Sequence, residues 1–112
     1  MRIMLCAIAV MGAASLPSYA QTDLKNYADT NGYINVQKLT CDQLSNTYQE
    51  DAEFLGVWYS GWYNGLAKKS SINVPRVREN IHQVIVFCKA NRKMTVTKAI
   101  DAVLKSQKIS AN

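Results

Sequence analysis

Apolar residues recur along much of this chain at spacings of three and four, broken by polar caps, and that period predicts helices. The longest pattern covers residues 50–69, where Leu55, Trp58, Tyr59, Trp62 and Leu66 make one broad face, with Phe54, Val57 and Tyr63 partly beyond it. Glu50, Asp51 and Glu53 fall in the first turn of this segment and Lys68 and Lys69 in its last, a polarity that suits the helix dipole. Gly61 and Gly65 stand one turn apart and admit close approach of another backbone, at about 1 kcal/mol per glycine in a helix interior. A second pattern covers residues 74–89, capped by Asn73 with Pro75 in its first turn; Val77, Ile81, Val84, Ile85 and Cys88 are its stripe and Asn91 its stop. Thr95 caps a last helix whose apolar positions are Val96, Ala99, Ile100, Val103 and Leu104, followed by a frayed tail from Ser106. Ahead of these, Thr40 and Gln43 have capping-box spacing, which starts a short helix through Cys41 and Leu44 to about Tyr48. Residues 21–30 are polar without a period and predict a weakly ordered start; Asn31 and Gly32 predict a turn. The pattern is that of an all-α, single-domain bundle of about four helices.

The first 20 residues break the pattern. Arg2 precedes an apolar run over residues 3–14, and small residues follow at Ser18 and Ala20. This predicts an export signal cut after Ala20 and a periplasmic protein, the alternative being an uncleaved anchor. Processing would leave 92 residues, 112 less 20, with no apolar run near the roughly 20 residues of a membrane span. It would also remove Cys6 and leave two cysteines, Cys41 and Cys88. Two cysteines in a small exported chain predict a disulfide; two free thiols packed in a core are the other possibility. Such a bond closes a loop of 88 − 41 = 47 positions, worth roughly 4 kcal/mol by chain entropy. The apolar fraction of 48% is enough for one packed core.

Candidate chemistry is sparse. His82 is the one histidine, and no nucleophile motif accompanies it, so an enzyme is not expected. Glu50, Asp51 and Glu53 are the one carboxylate cluster, and a helix N-terminus already accounts for them. Cys41 and Cys88 each lack a near partner, which argues against a metal site. A Gly-rich phosphate loop is absent, and no cofactor is expected. The net charge of +5 falls short of a nucleic-acid-binding arm, and the aromatics sit apart from most of the cations. What stands out is two Trp and two Tyr within six residues, Trp58 to Tyr63. Either all of that area is core or part of it forms a homodimer seam or a client-binding face.

Three stretches carry a family resemblance: Ile34-Asn35-Val36-Gln37-Lys38-Leu39-Thr40-Cys41-Asp42-Gln43-Leu44, then Trp58-Tyr59-Ser60-Gly61-Trp62-Tyr63-Asn64-Gly65, then Val86-Phe87-Cys88-Lys89-Ala90-Asn91-Arg92-Lys93-Met94-Thr95-Val96, continuing from Ala99 to Leu104. With this cysteine frame the chain resembles the HdeA/HdeB family of periplasmic acid-stress chaperones over about residues 34–105. The resemblance implies a helical domain over residues 21–112 with a Cys41–Cys88 disulfide and a homodimer near neutral pH. It further implies that acid separates the dimer, loosens the monomer and lets it bind acid-unfolded clients without ATP. By that resemblance Phe54, Trp58, Tyr59, Trp62 and Tyr63 form the dimer and client surface. A second resemblance, to small periplasmic immunity proteins, covers the same Gly-containing helix and implies one fixed partner; the second disulfide usual in those proteins is missing here.

The charge arithmetic allows an acid switch. The processed chain has twelve basic and eight acidic residues, net +4. Below about pH 3 the eight carboxylates lose their charge and His82 gains one, giving +13 and strong self-repulsion. Glu50, Asp51, Glu53 and His82 are the expected pH-sensing groups.

Overall fold

A computed structural model describes residues 21–110. The expected export signal, residues 1–20 with Cys6, lies outside the described residues, as does the end of the tail, residues 111–112. The fold is all-helical, with four α-helices in chain order: α1 Cys41–Asn46, α2 Gln49–Leu66, α3 Val74–Ala90 and α4 Val96–Ser110. Among the described residues there is no strand, only isolated bridges pairing Thr22 with Thr47 and Thr40 with Thr95.

A six-residue helix is too short to persist alone, and α1 is made by its surroundings. Its free N-terminal N–H groups are all taken: Cys41 donates to the Met94 carbonyl at 2.8 Å, Asp42 to the Arg92 carbonyl at 2.9 Å and Gln43 to the Thr40 hydroxyl at 3.2 Å. The Gln43 side chain accepts in return from the Thr40 N–H at 3.0 Å, completing the expected capping box. The Val96 N–H donates to the Leu39 carbonyl at 2.9 Å, so the α3–α4 connection is sewn to α1 from both sides. The Cys41–Cys88 disulfide joins α1 to the last turn of α3, across Cα atoms 4.6 Å apart, and both cysteines are fully buried.

The core gathers around that bond. Leu39, Cys41 and Leu44, Ala52, Leu55 and Tyr59, Ile85 and Cys88, and Val96, Ala99 and Ile100 form one buried cluster. α3 and α4 follow the sequence pattern closely. Asn73 caps α3 by accepting from the Arg76 N–H at 3.1 Å, and the Asn91 N–H closes its other end on the Cys88 carbonyl at 3.1 Å.

Three elements differ from expectation. The polar start is tied down: Leu24 is buried in a 3-10 turn over Leu24–Tyr27, the Thr22 N–H donates to the Asn46 carbonyl at 2.7 Å, and the Leu24 N–H donates to the Asp51 carboxylate at 3.0 Å. One buried leucine and two backbone donors suffice where a period is missing. α2 ends at Leu66, before Lys68 and Lys69. The Lys68 N–H donates to the Gly65 carbonyl at 3.0 Å and the Lys69 N–H to the Asn64 carbonyl at 2.9 Å, a Schellman ending with Lys68 left-handed at φ 55°. α4 continues through the expected tail, because the Gln107 amide donates to Asn80 at 2.7 Å and to Gln83 at 3.0 Å on α3.

Candidate functional site

α2 carries apolar residues around most of its circumference, so packing rather than period decides which face goes inside. The buried residues are Ala52, Leu55 and Tyr59. They are set by Gly56, where a methyl group would come within 2.7 Å of Ile81 on α3. Gly56 is one of several small residues in this segment, and the sequence reading assigns close approach to Gly61 and Gly65 instead; neither has an atom within 4 Å of where a Cβ would stand. The available signal was the run Ala52, Leu55, Gly56, Tyr59, which has helical spacing and contains the small residue that the contact with Ile81 requires.

This rotation divides the five aromatic candidates. Tyr59 is 2% exposed, and its hydroxyl donates to the Val36 carbonyl. Burial raises its pKa far above the ordinary phenol value, with a smaller contribution from Tyr63. In this fold Tyr59 is a core residue and does not reach the surface. Trp62 and Tyr63 are partly buried against the core; burial, and then the charge of Asp101, raise the Tyr63 pKa. Phe54, 66% exposed, and Trp58, 44% exposed, face outward, and Val57 at 56% lies between them. Leu66, which the period sets on one face with Leu55 and Tyr59, is 69% exposed. The rings form a chain from outside to inside: Trp58 meets Tyr59 edge-on at 5.6 Å and Trp62 at 5.7 Å, and Trp62 meets Tyr63 at 5.4 Å.

The result is a second apolar face on α2, made of Phe54, Val57 and Trp58 and continued by the bare helix surface at Gly61 and Gly65. A face with large side chains at one end and none at the other can take a second helix closely. Contiguous exposed apolar surface of this kind marks interaction sites.

The expected pH-sensing residues are not one cluster. Glu50 and Asp51 stand in the first turn of α2, whereas Glu53 lies beyond it, hydrogen-bonded to the Gln49 amide at 3.3 Å. Because the dipole acts within the first turn, Glu53 gains little from it. Asp51 does more than cap charge, since its carboxylate holds the Leu24 N–H. His82 is exposed on α3 and lines a shallow groove against α4 with Glu79, Gln83, Val86 and Phe87. Arg92 pairs with Asp42 at 3.0 Å, near the disulfide. Among the described residues no three His, Cys, Asp or Glu side chains gather where they could hold a metal ion, and no helix is long and apolar enough to cross a membrane.

Compared with known proteins, the chain matches the HdeA/HdeB family over residues 2–98, which spans α1, α2, α3 and the start of α4. No curated protein and no solved structure matches it. The match covers most of the chain, and the chain belongs to the HdeA/HdeB family.

Proposed function

We propose that this member of the HdeA/HdeB family is a non-enzymatic, ATP-independent chaperone of the periplasm. It is exported by a signal cleaved after Ala20 and protects other proteins from aggregation in acid. The observation that carries the reading is the second apolar face of α2 in a chain of this family. Near neutral pH that face docks on its own copy, with Phe54 and Trp58 of one protomer over the glycine-lined stretch of the other. Such a two-fold pairing uses one patch on both sides.

Acid separates the pair by charge. Each protomer goes from +4 toward +13 as its eight carboxylates protonate and His82 charges. Protonation of Glu50 and Asp51 removes the anions that the α2 N-terminus favours. It also weakens the acceptor that Asp51 offers to the Leu24 N–H, loosening the start of the chain from α2. Freed α2 faces then hold the apolar segments of unfolding clients. Movement of α2 away from α3 adds Trp62, Tyr63 and finally Tyr59 to that surface, while the disulfide keeps α1 and α3 joined. No cofactor takes part.

The test follows aggregation of an unrelated acid-labile protein with and without the oxidised, exported chain, alongside the chain's own oligomeric state at neutral pH and in acid. Suppressed aggregation, with a dimer at neutral pH and a monomer in acid, is expected. Phe54→Ser with Trp58→Ser, both exposed positions, should abolish dimer and protection together while leaving the helical content unchanged. An unchanged oligomer with no protection would sink the reading and favour an immunity-type module with one fixed partner.

A further inference from the structure

The far end of the α2–α3 hairpin carries a surface that neither the core nor the outer face of α2 explains. Between Glu53 and Glu79 the chain has no carboxylate and four cations, Lys68, Lys69, Arg76 and Arg78. All four are exposed, and among the described residues no carboxylate lies within ion-pair distance of any of them. Between and beside them stand three exposed apolar residues, Leu66, Ile72 at 61% exposure and Val74. The first turn of α3 contains no acidic residue. Arg76 stands in that turn, at the positive end of the dipole, where cations are disfavoured and an anion is favoured, and Arg78 follows just beyond it. Glu50 and Asp51 stand at the opposite end of α2, so this helix starts acidic and is followed by the cations of the tip.

We infer that this basic, apolar tip docks on a membrane surface that contains anionic lipids. Anionic groups answer the four cations, and hydrocarbon answers Leu66, Ile72 and Val74. A bilayer offers both within the length of one lysine side chain: headgroup phosphates above and acyl chains below. An acidic polypeptide answers the cations, but covers the apolar residues only where its own hydrophobic side chains happen to match them, whereas a bilayer needs no such match. The long Lys and Arg side chains suit this arrangement, since their stems lie along apolar surface while their charges stay at phosphate level. The inference goes beyond the chaperone reading and does not depend on it, because its residues are not those of the outer α2 face.

The test is co-sedimentation of the oxidised protein, recovered from the periplasm of an expression host, with two kinds of vesicle at neutral pH and low salt. One is mixed phosphatidylglycerol and phosphatidylcholine, the other phosphatidylcholine alone. Binding to the first and not the second is expected, falling as salt is raised. Lys69→Gln with Arg78→Gln should weaken it roughly 25-fold, about fivefold or 1 kcal/mol for each cation. Leu66→Ser with Ile72→Ser should weaken it by about tenfold. Arg78→Lys should bind as the parent does, and circular dichroism should show the same helical content throughout. Phe54→Ser with Trp58→Ser should leave vesicle binding unchanged, which separates this surface from the chaperone face. Three results overturn the inference. One is no binding to anionic vesicles at low salt. Another is binding that the serine pair leaves intact, which marks a site for any polyanion. The third is binding lost in the Phe54 and Trp58 variant.

Discussion

The two ends of the α2–α3 hairpin are built on opposite terms. At the closed end α1, the last turn of α3 and the start of α4 share a disulfide, a capping box and backbone hydrogen bonds from Cys41, Asp42 and Val96 to groups far along the chain. Cys41, Cys88, Val96 and Ala99 there are almost wholly shielded from water. At the open end nothing after Tyr59 on α2 is buried, and the next buried residue on α3 is Ile85. Leu66, Ile72 and Val74 face water instead. Stability is not uniform across such a structure, and regions with few buried apolar contacts open first. The molecule thus has an anchored end that specifies the fold and a lightly held end free to change its contacts.

The contrast is broken most severely by removing the disulfide. Reduction, or Cys41→Ala with Cys88→Ala, is expected to cost roughly 4 kcal/mol through the freed 47-residue loop. Against a total near 5–15 kcal/mol for a domain, a denaturant titration should show between about a quarter and four fifths of the stability lost. An unmoved midpoint would mean that packing and hydrogen bonds hold the closed end without the disulfide.

A paired glycine experiment compares a packed and an open site on the same helix. Gly56→Ala gains about 1 kcal/mol of helix propensity but pushes a methyl against Ile81. The β-branched Ile81 has little freedom to give way, and overpacking costs about 1–3 kcal/mol. A net loss of about 1 kcal/mol is expected. Gly61→Ala meets nothing and should stabilise the monomer by up to about 1 kcal/mol. Opposite signs in thermal melts would sharpen the contrast, and equal signs would refute the placement of α3 on Gly56.

Tyr59 tests the boundary between the two ends. Its folded-state pKa is raised by burial, so its contribution is complete below the ordinary phenol value near 10 and is lost as pH rises through the folded value. Alkaline unfolding above about pH 10 is therefore expected, followed by phenolate absorbance. Tyr59→Phe leaves the Val36 carbonyl without that donor, costs about 1 kcal/mol at neutral pH and should blunt the alkaline transition. An alkaline transition of unchanged size would assign it to other groups.

The smallest effect is expected at the open end. Lys68 is left-handed at φ 55°, a conformation that glycine adopts freely, so Lys68→Gly should stabilise the protein by up to about 1 kcal/mol. A loss of stability would show that the Lys68 side chain contributes more than its backbone strain removes.

Much of this was legible in the chain. The Thr40 and Gln43 box, the Asn73 cap, the stop at Asn91 and the stripes of α3 and α4 are local matters, decided by residues three or four apart, and the structure has them where the sequence places them. The candidate site was legible only as a segment. α2 is apolar nearly all round, so its period left the inward face open: it sets Leu55, Trp58, Tyr59 and Leu66 on one broad face, of which packing buries Leu55 and Tyr59 and leaves Trp58 and Leu66 exposed. Glu53 was read with Glu50 and Asp51, although the start of α2 at Gln49 leaves it beyond the first turn.

By itself, then, the sequence determined the helical segments, the caps at Thr40 and Asn73, the cysteine frame and the charge that acid would add, because each depends on composition or on neighbours within a turn. The tertiary structure alone decided which face of α2 is buried, that Asp51 holds the start of the chain, and that Gln107 extends α4 over α3. The physical reason is distance along the chain. The contact of Gly56 with Ile81, the bond from Leu24 to Asp51 and the clasp of Gln107 on Asn80 each join residues about 25 or more positions apart. No local propensity encodes such a meeting; it is fixed only when the helices pack.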